Sequence, residues 1–157
     1  MNDSTFLEQL RRFLAQPENQ SPHAKFLGME IVYVEHGRAV VRVPYAARLA
    51  GNATNGVLHG GVITTVIDSA CGVSVIAALG RRMTIATLDL RIDYLKPARP
   101  GEAVTAAAHC YKVTKNICFV RALAYHADRE DPIANCAASF MITSTEAAGP
   151  ALTEIRG

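Results

Sequence analysis

The longest predominantly apolar stretch of the chain runs from residue 62 to residue 79. In a helix, these apolar side chains would occupy nearly every face, so the helix must be surrounded by other elements rather than lie on a surface. The stretch is long enough to cross a membrane, but it contains Asp68 together with several hydroxyl residues. We therefore interpret it as the core helix of a folded domain and not as a membrane span.

Shorter elements are predicted before this helix. Apolar residues at helical spacing predict an amphipathic helix over residues 4–16. The proline-containing segment 17–22 is expected to break that helix, and Phe26-Leu27-Gly28 is expected to form a loop. Two extended runs, 29–35 and 38–44, then flank a turn sequence and predict a β-hairpin.

Extended runs also follow the long helix. In the first of them every second residue from Leu88 to Tyr94 is apolar, which predicts a half-buried strand. This alternation turns Thr87 away from the helix unless the strand contains a bulge or a twist. The four runs after the helix cover residues 84–95, 102–113, 117–126 and 133–143.

The order of these elements predicts an α+β fold. One long helix followed by antiparallel strands can bury itself only if the sheet wraps around it, so we expect an antiparallel sheet around one central helix. We divide the chain into an N-terminal helix and linker (1–22), one domain (23–145) and a weakly ordered tail (146–157).

Composition and charge exclude several classes of function. A formal net charge of +2 over 157 residues is too small to indicate nucleic-acid or membrane binding. The four cysteines form no C-x-x-C pair and lie in apolar runs, which is typical of buried, reduced thiols in a cytoplasmic protein. The histidines show no metal-ligand spacing, so we expect neither a metal site nor a cofactor.

Asp68 is the first candidate for chemistry because it is the only charged side chain between residues 49 and 80. A carboxylate in an apolar helix is costly unless it is paired, hydrated or used. Its neighbours one helical turn away include Thr64 and Thr65 but no basic residue. This favours a hydrogen-bonded functional carboxylate; the alternative is a satisfied core residue.

The sequence His59-Gly60-Gly61 at the start of the helix is the second candidate. The first N–H groups of a helix lack internal partners and attract negative charge. Two glycines remove side-chain bulk there, so a carbonyl or an oxyanion could approach these N–H groups. The alternative is a tight turn in which glycine has only a conformational role.

The element order and two motifs resemble a known family. The order resembles the hotdog fold, and the segment 56–61 (GVLHGG), with Asp68 nine residues after His59, resembles the PaaI-type acyl-CoA thioesterases. The segment 87–97, followed by Gly101-Glu102, is similar to the same family. The resemblance covers residues 24–143.

This resemblance implies catalytic roles for three residues. The Gly60 N–H would bind the thioester carbonyl, and Asp68 would act as nucleophile or as general base for water. Thr87 matches the strand residue that assists the acid, but an exposed strand threonine is an equally good interpretation. Many members carry an asparagine where this chain has Ala53, and Asn52 is the candidate replacement.

The remaining candidates concern substrate binding. His59, Gly61 and Thr65 lie beside the presumed carbonyl site, and we expect the His59 ring to hold the loop through a backbone bond. Some of the basic residues at element ends could meet the phosphates of coenzyme A.

Three functions fit these residues. The first is an acyl-CoA thioesterase that releases the free acid and coenzyme A. The second is an enoyl-thioester hydratase, which would need His59 as a base. The third is a non-catalytic acyl-CoA-binding protein.

A helical distance predicts a shared active site. Gly60 and Asp68 are eight residues apart, which corresponds to about 12 Å along a helix, too far for both to act on one carbonyl. Two antiparallel helices from two subunits would bring Gly60 of one chain beside Asp68 of the other. The resemblance implies the same dimer, and we expect homodimers that assemble into a homotetramer.

Overall fold

The computed structural model of the chain describes residues 3–144. The predicted weakly ordered tail, 146–157, lies outside the described residues, as do residues 1, 2 and 145. The helices and strands in chain order are α1 (Asp3–Ala15), α2 (Pro22–Leu27), β1 (Glu30–Glu35), β2 (Arg38–Val43), α3 (Gly60–Leu79), β3 (Thr84–Tyr94), β4 (Val104–Val113), β5 (Ile117–Tyr125) and β6 (Ala134–Ser144). Short 3-10 turns occur at Pro17–Asn19 and Ala47–Leu49.

The strands form one antiparallel sheet in the order β1-β2-β4-β5-β6-β3. Helix α3 crosses one face of this sheet and packs mainly on β2, β4 and β5. The largest cluster of buried side chains lies between them, with Val41, Val66 and Val120 almost fully shielded from solvent. The predicted α+β fold, a sheet around one long helix, is confirmed.

One face of α3 remains half-exposed, which differs from the prediction that the helix is wrapped on every side. Thr64, Thr65, Asp68 and Ser69 are only partly buried in the single chain. The reason is that β3, at the edge of the sheet, is the last strand on this side. By length and mean hydropathy (2.0) α3 could cross a membrane, yet half of it is buried inside this fold, where it packs on the sheet.

The prediction of a loop at Phe26-Leu27-Gly28 is wrong, because residues Pro22–Leu27 form α2. The Ser21 hydroxyl accepts a hydrogen bond from the Ala24 N–H (3.2 Å) and caps the helix start. Pro22 occupies the first turn, where its missing N–H costs nothing, and Gly28 ends the helix at φ 65°. Pro22 therefore begins a helix and does not only end the preceding one.

A β-bulge in β3 decides which side chains face α3. Thr87 pairs with Phe140 and Asp89 with Ser139, so Leu88 is an inserted residue with no partner of its own. The insertion reverses the alternation and lets both Thr87 and Leu90 face the helix side. Leu88, predicted to face the helix, is 49% exposed.

Strand β3 runs antiparallel to the half-exposed face of α3. Its free edge is 11 residues long and carries exposed Leu88 and Tyr94, with Leu95 following. A long, apolar sheet edge is a site for pairing with another chain unless it is covered.

Candidate active site

The loop before α3 closes on itself and fixes the position of His59. The N–H of His59 donates to the Leu49 carbonyl (2.9 Å), and that of Gly51 donates to the Val57 carbonyl (2.8 Å). A Cβ at Gly51 would lie 2.9 Å from the His59 Cα, so only glycine allows the two backbone segments this approach. The loop therefore brings the helix start to a defined place.

His59 caps α3 with its ring, in agreement with the structural role expected for it. Its Nδ1 accepts a hydrogen bond from the Gly61 N–H (2.9 Å). A Cβ at Gly61 would lie 2.9 Å from that same Nδ1, so a larger residue there would displace the ring. Within residues 3–144, the neighbouring Gly60 N–H has no acceptor, which leaves it available to a ligand.

Tyr94, at the end of β3, holds the first turn of α3. Its hydroxyl donates to the Gly60 carbonyl (2.9 Å) and lies 2.7 Å from the Thr64 hydroxyl. Sequence reasoning missed this residue as part of the site. The alternation in β3 did place Tyr94 on the helix side, and that was the available signal.

Asp68 and Thr87 form the second group of the site. The Thr87 hydroxyl donates to the Asp68 carboxylate (3.0 Å), which the bulge at Leu88 makes possible. Asp68 is half-buried, and in the described part of the chain no lysine or arginine forms an ion pair with it. The carboxylate is thus oriented by a hydroxyl of β3 and not by its helix neighbours, because the Thr64 and Thr65 hydroxyls donate to the carbonyls of Gly60 and Gly61.

The structure does not bring Gly60 and Asp68 together within one chain. Both belong to the continuous helix α3, and their separation is about 12 Å at the usual helical rise. Asp68 contacts the middle of β3, whereas Gly60 contacts its end.

Two candidate binding residues make local contacts. The Asn52 side-chain oxygen accepts from the Thr54 N–H (2.8 Å) and caps a turn of the loop. The Thr65 hydroxyl donates to the Gly61 carbonyl (2.8 Å) and lies 3.5 Å from His23 Nε2.

Two cavities flank the start of α3. The β3-side cavity, about 360 Å³, contacts Gly60 and includes Lys96, whose ammonium pairs with Asp131. The α2-side cavity, about 450 Å³, lies between α2, the loop and the helix. Its lining consists of His23, Phe26, Leu27, Arg48, Leu49, Ala50, His59, Gly61, Val62 and Thr65.

The cysteines are structural. Cys71, Cys110, Cys118 and Cys136 are free and buried, as predicted. Burial raises the pKa of Cys110 to about 12, so this thiol stays protonated and is a poor nucleophile near neutral pH. Among residues 3–144, no His, Cys, Asp and Glu side chains cluster in a way that could hold a metal ion.

Comparisons with known proteins identify the family of the chain. The family model of the thioesterase superfamily matches residues 55–133. The medium/long-chain acyl-CoA thioesterase YigI of Escherichia coli is 32% identical over 134 residues, which cover 77% of this chain and 85% of the relative.

Solved structures show the same architecture. A Pseudomonas aeruginosa protein is 40% identical, with a TM-score of 0.74 over 88% of this chain and 99% of that one. The E. coli PaaI protein from the phenylacetic acid degradation operon shares only the fold, at 19% identity and a TM-score of 0.77, over 88% of this chain and 96% of that one. The chain thus belongs to the thioesterase superfamily and is a thioester hydrolase with the hotdog fold.

Proposed function

We propose that the protein hydrolyses acyl-CoA thioesters to the free acid and coenzyme A. The observation that carries the proposal is the free N–H of Gly60 at the start of a helix that also carries Asp68, whose carboxylate is hydrogen-bonded by Thr87 of β3. The name of the relative YigI, a medium/long-chain acyl-CoA thioesterase, supports the same substrate class.

Each group has one role in the mechanism. The thioester oxygen accepts a hydrogen bond from the Gly60 N–H, which stabilises negative charge as that oxygen becomes an oxyanion. Asp68 either attacks the carbonyl carbon or takes a proton from a water molecule that does so. The Thr87 hydroxyl holds the carboxylate in position. The carbon–sulfur bond then breaks and the thiolate leaves; it takes up the proton that Asp68 removed from the water, or a solvent proton where Asp68 is the nucleophile. In the nucleophilic case, water then hydrolyses the acyl–aspartate anhydride, which releases the free acid and restores the carboxylate.

The two groups act on one carbonyl only in a dimer. Antiparallel packing of two α3 helices through their half-exposed faces places Gly60 of one subunit beside Asp68 of the other. The exposed edge of β3, with Leu88 and Tyr94, supports this interface because pairing would cover it. Assembly of two such dimers into a homotetramer stays a prediction.

The hydrogen bond of the His59 ring favours a thioesterase over an enoyl-thioester hydratase. A hydratase would need a lone pair on the His59 ring, yet Nδ1 already accepts from Gly61, and a neutral ring then carries its proton on Nε2. Experiment distinguishes a thioesterase from a non-catalytic binding protein, because the latter would bind acyl-CoA without releasing thiol.

The test is thiol release from acyl-CoA substrates by the parent protein and by Asp68→Asn. Loss of the carboxylate removes base or nucleophile catalysis, so we expect kcat to fall roughly 10²–10⁴-fold. Substrate binding should be retained because the amide has the same shape.

The matched control is Asp128→Asn, at an exposed aspartate between β5 and β6, which should keep parental activity. Turnover by Asp68→Asn at the parental rate would refute the catalytic assignment, and a parent protein that binds acyl-CoA without turnover would refute hydrolysis.

A further inference from the structure

A third cavity, which we call the distal cavity, lies further along α3 from the site. It measures about 150 Å³ and is enclosed by the N-terminal segment, β1 and α3. Its apolar lining comprises Leu14, Ala24, Met29, Ile31 and Val73.

The α2-side cavity and the distal cavity share two walls. On α3, Gly61 and Thr65 line the first, and Ser69 and Val73 line the second. These residues follow each other at intervals of four and therefore lie on one helix face. Helix α2 forms the opposite wall of both cavities, since His23 lines the first and Ala24 the second.

A weak contact between His23 and Thr65 lies between the two cavities. His23 Nε2 is 3.5 Å from the Thr65 hydroxyl, at the limit of a hydrogen bond. The Thr65 hydroxyl keeps its shorter bond to the Gly61 carbonyl without His23. Both residues line the α2-side cavity, and their neighbours Ala24 and Ser69 line the distal one. We therefore expect rotation of the His23 ring, which breaks only this weak contact, to join the two cavities.

Two of the four polar residues that line the distal cavity, Asn19 and Ser21, are hydrogen-bonded within the chain; the other two are Gln20, whose amide lies 3.5 Å from the Met29 carbonyl, and Ser69. The Asn19 amide donates to the Phe13 carbonyl (3.0 Å), and the Ser21 hydroxyl caps α2. The cavity therefore offers an occupant mainly apolar contact, which suits a hydrocarbon chain and not a polar group.

We propose that these two cavities form one acyl channel, which carries the substrate's hydrocarbon tail along α3 beneath α2 to Val73. The channel starts beside His59 and Gly61, which flank the Gly60 N–H proposed to bind the carbonyl; Gly60 itself lines the β3-side cavity. From Gly61 to Val73 it extends about 18 Å along the helix, enough for a medium or long acyl chain. The inference rests on the proposed function and adds that the segment around α2 determines which length of acyl group the enzyme prefers.

The first test measures kcat/KM for saturated acyl-CoAs of increasing length with Ala24→Leu, which fills the distal cavity. Each buried methylene is worth about fourfold in kcat/KM. Excluding two of them should lower the ratio of long-chain to short-chain kcat/KM about 15-fold. Ala127→Leu makes the same change at an exposed position between β5 and β6 and should keep the parental profile.

Two substitutions of Val73 should change the acyl-chain-length preference in opposite directions. Val73→Phe fills the same cavity from α3 and should reproduce the effect of Ala24→Leu if that variant does not fold. Val73→Ala enlarges the cavity and should shift the preference toward longer chains, which a general loss of stability would not do. Identical chain-length profiles in the parent and all folded cavity variants would overturn the channel.

Binding of non-hydrolysable alkyl-CoA thioethers separates this inference from the proposed function. If the parent hydrolyses no acyl-CoA, the proposed function fails. Tighter binding of longer thioethers that Ala24→Leu abolishes would still support the channel. Binding independent of alkyl length would overturn it even in an active thioesterase.

Discussion

At the scale of single residues, the Asp68 carboxylate depends on one hydrogen bond for its orientation. Thr87→Val preserves the shape of the side chain but removes the donor. A hydrogen bond to a charged group contributes about 1.5–3 kcal/mol, so we expect kcat to fall roughly 10–150-fold. Thr87→Ser keeps the hydroxyl and should retain most of the activity; equal rates for the valine variant and the parent would contradict the role.

Gly60 offers a graded test of the oxyanion donor. A Cβ there would lie 3.5 Å from the Tyr94 hydroxyl oxygen, an ordinary contact, so Gly60→Ala fits the fold. The bulk of Gly60→Val should block the carbonyl from the N–H and lower kcat roughly 10²–10³-fold, as loss of an oxyanion donor does. At saturating substrate, we expect the kcat of the alanine variant to lie between those of the parent and the valine variant. The Tm of both variants should change less than kcat does. Full activity of the valine variant would exclude this N–H as the donor.

Gly60 and Asp68 could be selected from the sequence because an unusual local pattern marks each of them: bare glycines at a helix start, and a lone charge in an apolar helix. The contacts of Thr87 and Tyr94 could not be predicted with the same ease. The bulge at Leu88 inserts one residue into β3 without leaving a periodic signal, so simple alternation assigns Leu88 to the wrong side.

At the scale of elements, α2 shows how a proline can be misread. The sequence contains a serine cap at Ser21, a proline in the first turn and a glycine at Gly28, all of which are signals of a short helix. If proline is treated only as a helix breaker, the segment is predicted to be a loop. The long helix was evident from its apolar stretch, and the strands were evident from extended apolar runs between turn sequences.

The cap of α2 can be tested by Ser21→Ala, which removes the bond to the Ala24 N–H. Loss of an N-cap costs about 1 kcal/mol, so we expect faster amide exchange in α2 and a slightly lower urea midpoint. Ser21→Asp restores an acceptor and should recover both properties. Unchanged exchange in the alanine variant would mean that packing, and not the cap, maintains the helix.

At the scale of the whole molecule, the order of helix and strands was sufficient to predict the fold, because a single apolar helix can be buried only by a sheet that covers it. The exposed side of α3 was not predicted. A sequence of one chain does not show which faces are covered by another copy of the same chain.

The shared site can be tested by mixing two inactive variants, Gly60→Val and Asp68→Ala. A mixed dimer has one site that combines both intact residues, and random exchange should restore roughly a quarter of parental activity. Thiol release is measured after subunit exchange has been verified by differently tagged chains. Exchanged but inactive dimers would rule out a site built from two subunits.

The position of Thr64 on α3 has a further consequence in the proposed dimer. It lies halfway between Gly60 and Asp68, so when these two residues face each other across the twofold axis, Thr64 faces its own copy. A substitution there is made twice at one point: a carboxylate would meet an identical carboxylate. Both subunits are encoded by the same gene, so a substitution of Thr64 always changes both sides of this contact. The position therefore favours side chains that are complementary to themselves, such as a hydroxyl, which both donates and accepts a hydrogen bond.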